Sequence, residues 1–95
     1  MIASIQGKII QKGTDFLVID INGLGLQIFT TNEICQTAKV GEGKVLHTQL
    51  IVREDSLTIY GFENMLEKEY FNLLLGVNGV GPRMALAILS TLSID

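Results

Sequence analysis

The sequence predicts a mixed fold: a small closed β-barrel followed by a pair of amphipathic helices. Three observations predict it. From residue 1 to about 62 the chain is cut into short apolar runs by turn residues, among them Gly13-Thr14-Asp15, Asn22-Gly23 and Gly41-Glu42-Gly43. Runs of this length between such turns read as strands. From Glu63 the apolar period changes to three- and four-residue steps, the spacing of a helix with one buried face. Five short strands bury most of their edges by closing on themselves. A five-stranded barrel of OB type fits this pattern, and an SH3-like barrel fits the strand spacing nearly as well.

The elements follow in order. Ile2, Ser4, Gln6, Lys8 and Ile10 alternate imperfectly with residues of other kinds, as the first strand. Phe16–Ile21 is apolar and rich in β-branched residues, which suits a second strand. Asn22-Gly23 is a strong two-residue hairpin turn, because both residues tolerate the positive φ that such a turn needs. Leu24, Leu26, Ile28 and Thr30 then share one strand face, with Gly25 as a bulge or a point of close approach. A short helix is expected between Thr31 and Ala38, capped by Thr31 or Asn32. Lys44–Val52 and Leu57–Tyr60 complete the strands. The first helix of the pair carries Leu66, Tyr70, Leu73, Leu74 and Val77 as its buried face. The second carries Leu86, Ile88, Leu89 and Leu92 and starts at Pro82, where a missing N–H is no loss. Two helices alone bury little, so this pair is expected to pack on the barrel, on another chain or on sequence beyond Asp95.

With 95 residues, 47% hydrophobic and 18% charged, the chain has a globular composition. A net charge of −3 argues against coating nucleic acid through bulk charge, yet it allows a binder that uses backbone amides and a few basic side chains. The only cysteine, Cys35, permits no internal disulfide. With no CxxC pair or Cys/His cluster, no metal is expected. Neither a secretory leader nor an apolar run long enough to span a membrane is visible, so a cytoplasmic location without membrane partners is expected.

The most informative stretch is Val77-Asn78-Gly79-Val80-Gly81-Pro82-Arg83. Glycines bracketing Val80 let successive N–H groups point outward at the start of the next helix. There the partial positive charge of the helix end favours an anion. Arg83, one turn in, adds a charge-assisted contact to the same phosphate or its neighbour. The plain alternative is a glycine-rich turn between two helices with no ligand, and spacing alone leaves the two readings open.

Val77–Leu89 resembles the first helix-hairpin-helix motif of the RuvA family, bacterial proteins that bind Holliday junctions. The likeness runs through the whole chain. Met1, Ile2 and Gly7 match the family's opening strand. Asn22-Gly23-Leu24-Gly25 resembles its GGVGY turn, although Leu26 replaces the tyrosine. Ile51-Val52-Arg53-Glu54-Asp55 with Tyr60-Gly61-Phe62 resembles its VREDxxxLYGF segment.

The resemblance implies an OB-fold barrel over residues 1–62 and the first helix-hairpin-helix of a middle domain over 63–95. The second hairpin and a mobile C-terminal domain have no counterpart here, so a fragment of a longer protein is expected. Family members form homotetramers that hold four-way junction DNA open, and they recruit RuvB, a hexameric ATPase that drives branch migration in recombination and repair. By this resemblance Gly79, Val80 and Gly81 bind a DNA phosphate, Arg83 is the basic partner, and Glu54 and Asp55 form an acidic pin at the tetramer centre. Carboxylates there repel phosphates and keep the arms apart. Arg53 lies beside them, placed to contact the backbone. No cofactor is implied, and no Walker A sequence is present.

Simpler readings stand beside these. Glu54-Asp55 alone reads as a solvated turn between strands. His47 reads as a structural strand residue and Cys35 as a small packed hydrophobe. Tyr60 and Phe62 read as packing between barrel and helices, with base stacking as the alternative. A single-strand-binding OB module or an assembly module remains open as a function.

Overall fold

The computed structural model describes residues 2–92. Eight elements follow one another: β1 (Ser4–Lys12), β2 (Phe16–Ile21), β3 (Leu24–Phe29), α1 (Asn32–Thr37), β4 (Gly43–Arg53), β5 (Ser56–Phe62), α2 (Met65–Leu75) and α3 (Pro82–Thr91). The strands form a closed barrel in the order β1-β2-β3-β5-β4. Pairing of β1 with β4 closes it on one side, and a short parallel pairing of β3 with β5 closes it on the other. This order, with a helix between β3 and β4, is that of an OB fold and sets aside the SH3-like alternative.

Local chemistry explains the turns. At Asn22 (φ 53°) and Gly23 (φ 97°) both central residues have positive φ, so the two-residue turn matches the twist of its strands. Asp20 Oδ1 accepts from Gly23 N at 2.9 Å and braces it. Thr31 caps α1, its side chain accepting from Ile34 N. That short helix closes the barrel end with buried Ile34 and Cys35.

Two sequence expectations about irregularity move. Gly25 pairs with Asp20 in unbroken register, and a side chain there would meet only ordinary contacts at 3.4 Å and beyond. The bulge lies in β1 instead, between Ile9 and Gln11. Ile5 and Ile9 face the core, while Ile10 faces solvent at the end of the outward row of Ser4, Gln6 and Lys8. A close approach is found instead at Gly7, where a Cβ would collide with the Asp20 carbonyl oxygen.

There are two cores. Ile5, Ile9, Leu17, Ile19, Ile28, Ile34 and Leu46 fill the barrel. The second core joins barrel to helices: Tyr60 and Phe62 from β5 meet Phe71 of α2 and Ala85, Leu86 and Leu89 of α3. The Phe71 ring lies 5.1 Å from Tyr60 and 5.0 Å from Phe62, centroid to centroid, a spacing at which aromatic pairs add to simple burial. Lys44 Nζ reaches Glu63 Oε2 at 2.7 Å, and Ser90 Oγ accepts from Asn32 N at 3.3 Å. The helix pair therefore packs on the barrel of its own chain.

The buried face of α2 differs from the expected one. Leu74 is half-buried as expected, but Leu66, Tyr70, Leu73 and Val77 are exposed, Leu73 at 68%. Phe71, Leu74 and Leu75 face the barrel instead. The helix carries two apolar stripes, and its period alone does not tell which one meets the barrel. In α3, Leu86 and Leu89 are buried as expected, Ile88 is half-buried and Leu92 is exposed.

Among the described residues, no helix is long and apolar enough to cross a membrane.

Candidate nucleic-acid interface

The β4–β5 hairpin projects from the barrel. Its ladder runs out to Arg53 opposite Ser56, leaving Glu54 and Asp55 as the two-residue tip. All four are exposed. Among the described residues neither tip carboxylate joins an ion pair. Two adjacent carboxylates in water repel a phosphate that approaches within a Debye length, with the neighbouring Arg53 offsetting part of their charge.

The turn between α2 and α3 is built in two steps. Val80 N donates to the Val77 carbonyl at 3.1 Å, closing a four-residue turn. Gly79 sits at its third position with φ 86°, the sign a type II turn requires there. The Val80 N–H is thus used inside the chain, so it does not join the outward-facing set expected from the glycine spacing. Its side chain packs against the aromatic core, as a plug between the helices. Gly81 is the N-cap of α3, with φ −90° and ψ 175° and no side-chain cap. Among the described residues neither Gly79 nor Gly81 gives its N–H to a backbone carbonyl outside the regular elements. The first-turn N–H groups of Arg83 and Met84 have no intrahelical acceptor by construction.

Gly81 is informative because nothing in the chain needs a glycine there. Its φ suits any residue, and a Cβ at this position would meet nothing within 4 Å. The absent side chain leaves open space directly over the free N–H groups of the helix end.

Arg83 does not point freely into solvent. Its Nη2 lies 3.3 Å from Asp15 Oδ2, and its guanidinium carbon lies 4.7 Å from the centroid of the Phe29 ring. The side chain remains 63% exposed. An exposed ion pair contributes at most about 1 kcal/mol, and an exposed cation–π contact about 0.5–1 kcal/mol. The guanidinium is thus parked on the barrel, weakly enough to leave.

A cleft of about 300 Å³ connects these parts. Arg53, Ser56 and Ile51 of the β4–β5 hairpin line one side, Pro82 and Arg83 the other, with Phe29 and Tyr60 between them. The two arginines singled out in the sequence therefore border one site. Sequence reasoning missed Asp15 and Phe29. Asp15 lies 68 residues before Arg83 and stood out only as part of a turn.

The remaining candidates are structural. Tyr60 and Phe62 are 3% and 0% exposed, so they offer no face to a base. Burial pushes the Tyr60 hydroxyl above its ordinary range, with Arg83 and Arg53 opposing. Burial, with Asp15 adding, pushes the Cys35 thiol up to about 11. Its Sγ donates to the Phe16 carbonyl at 3.6 Å. Cys35 is expected to resist alkylation by iodoacetamide at pH 8 while folded and to react promptly in denaturant. Rapid modification of the folded protein would contradict that burial. His47 is half-buried in β4. Glu67 of α2 is raised above its ordinary value by burial and then by Glu63. Among the described residues no group of acidic, His and Cys side chains is placed to hold a metal ion.

A closed five-stranded barrel in this order, followed by a helix pair packed on it, places the chain in the class of OB-fold proteins. The profile of the RuvA N-terminal domain matches residues 1–61, and the chain belongs to that family. It is 46% identical over 92 residues to the Holliday junction branch migration complex subunit RuvA of Chloroflexus aggregans, covering 96% of this chain and 47% of that protein. The subunit of the same name from Pseudomonas fluorescens is 40% identical over 96 residues, covering all of this chain and 48% of the relative. That of Rickettsia felis is 42% identical over 93 residues, 98% and 46% of the two chains. The chain thus spans about half the length of the curated relatives it matches.

Proposed function

We propose that the chain is the junction-gripping part of a non-catalytic DNA-binding subunit, one that reads the backbone geometry of four-way junctions. The N-terminus of α3 takes a phosphate on the N–H groups of Gly81 and the first helical turn, with Gly79 shaping the turn and Val80 plugging it. Arg83 supplies the charge, Arg53 contacts the neighbouring backbone, and Glu54 and Asp55 repel strands from the crossover. The observation that carries this reading is Gly81: a glycine that the chain's own backbone and packing do not require, over an open helix N-terminus. The relatives' name supports the same substrate.

The larger assembly follows as part of the proposal. Residues 63–95 are the first of two hairpins of a middle domain, and the exposed stripe of Leu66, Tyr70, Leu73 and Val77 is where the second would pack. A homotetramer places four acidic tips at one centre. A RuvB-type hexameric ATPase docks through a further domain, does the chemical work in the cytoplasm and leaves this chain without a catalytic role or cofactor. A single-strand-binding role is disfavoured by the burial of Tyr60 and Phe62, which leaves no stacking platform on β5.

Phosphate contacts carry no sequence information directly. Junctions with permuted arm sequences are therefore expected to bind this chain equally, with log affinity falling linearly against log salt. A strong preference among permuted junctions would contradict the reading.

A further inference from the structure

Arg83 is the residue on which the phosphate reading leans most for charge, yet its guanidinium is already engaged. Asp15 Oδ2 takes one edge through Nη2 at 3.3 Å, and the Phe29 ring takes one face. Asp15 comes from the turn between β1 and β2, and its own carbonyl accepts from Thr30 N at 3.0 Å. The carboxylate is thereby held by the barrel rather than carried on a free loop. A planar guanidinium presents its donors in a fixed fork, so an edge given to a carboxylate is closed to a phosphate. A carboxylate this close also repels any phosphate that arrives on the remaining edge.

We propose that Asp15 is a competitor for Arg83, a barrel-borne stand-in for the DNA phosphate that the junction must displace. The inference rests on the reading of Arg83 as a phosphate contact. Asp15 then sets how readily the helix end accepts a backbone: Arg83 passes from carboxylate to phosphate, and the link between α3 and the β1–β2 turn opens as DNA binds. Because the Arg83–Asp15 pair is exposed, with side chains 63% and 39% accessible, the exchange needs no unfolding. Phe29 is the hinge of this exchange, since its ring can keep the guanidinium in place while the partner at its edge changes.

The test is a double-mutant cycle on binding to a four-way junction at a series of salt concentrations, using Asp15→Asn, Arg83→Gln and both together. Asp15→Asn keeps the side chain's shape and removes its charge. It is expected to tighten binding at least threefold. Arg83 ends on the phosphate in both proteins, so the slope of log affinity against log salt should stay close to that of the unaltered chain. Arg83→Gln is expected to weaken binding, and in its presence Asp15→Asn should give almost no gain. Glu69→Gln, an exposed α2 carboxylate, makes the same change in net charge and controls for bulk electrostatics. If Asp15→Asn leaves affinity unchanged or lowers it while Arg83→Gln still weakens binding, Asp15 is no competitor and the inference fails alone. If its gain persists in full beside Arg83→Gln, or equals that of Glu69→Gln, the effect is general charge and the inference likewise fails. If Arg83→Gln costs nothing, or the unaltered chain binds no junction at low salt, the phosphate reading fails and takes the inference with it.

Discussion

Replacing Phe71 by alanine is expected to release the helix pair from the barrel while the barrel stays folded. Phe71 is fully buried between Tyr60 and Phe62 and is the main side chain that α2 places on the barrel. Truncating a buried phenylalanine costs about 3–5 kcal/mol, a large share of the roughly 5–15 kcal/mol that holds a domain of this size. The barrel core is a separate cluster that Phe71 does not join. The loss therefore falls on α2 and α3 and not evenly on the molecule. Native-state hydrogen exchange read residue by residue checks it. Amides of α2 and α3 should exchange orders of magnitude faster in Phe71→Ala, while those of the β1–β2 ladder keep most of their protection. Equal loss in both regions would mean that barrel and helices form one cooperative unit. Such a variant also separates geometry from composition. It keeps every residue of the proposed DNA contact but loses the platform that aims them.

The second large effect is at Gly81, where stability and binding should move in opposite directions. A serine at the N-cap accepts from the free N–H groups of the first turn, and replaces the glycine with a gain of a few tenths of a kcal/mol. The same oxygen then sits where the phosphate would sit. Blocking even one hydrogen bond to a charged group removes about 1.5–3 kcal/mol, which is tenfold or more in affinity. Gly81→Ser is expected to melt at the same temperature or slightly higher and to bind junction DNA at least tenfold more weakly. Thermal denaturation beside a binding titration reads both. Binding unchanged in a stable Gly81→Ser would return the turn to a plain helix connection.

Much of the fold was legible in the sequence because local chemistry dictates it. Asn22-Gly23 has one strongly favoured use between two apolar runs, and the structure uses it so. Thr31 caps α1 as its residue type predicts, and the change of apolar period at Glu63 marks the barrel's end to within one residue of the last strand. What was not legible depends on contacts distant in sequence. Both stripes of α2 carry apolar residues, and it is packing against Tyr60 and Phe62 of β5 that selects Phe71 over Leu73. The bulge between Ile9 and Gln11 appears only in the pairing of β1 with β2, which no local pattern encodes. At the candidate site, the turn glycines and the tip carboxylates were visible as motifs. The glycine spacing suggests outward N–H groups at the start of α3 without saying which ones, and the turn bond to the Val77 carbonyl takes the Val80 N–H out of that set. The docking of Arg83 on Asp15 and Phe29 was out of reach, because a long side chain finds its partner only after the helix has packed.

The central claim is that this chain distinguishes a four-way junction by backbone geometry. The most direct test is a competition titration at one stated salt concentration. A labelled junction is bound and then challenged with unlabelled duplex of the same length and sequence, with the oligomeric state measured by light scattering in the same buffer. The account predicts that duplex competes poorly and unlabelled junction competes well, because Arg53, next to the acidic tip, and Arg83, at the helix end proposed to take a phosphate, border one cleft. Equal competition by duplex and junction would contradict it and would make the chain a general backbone binder whose selectivity lies elsewhere.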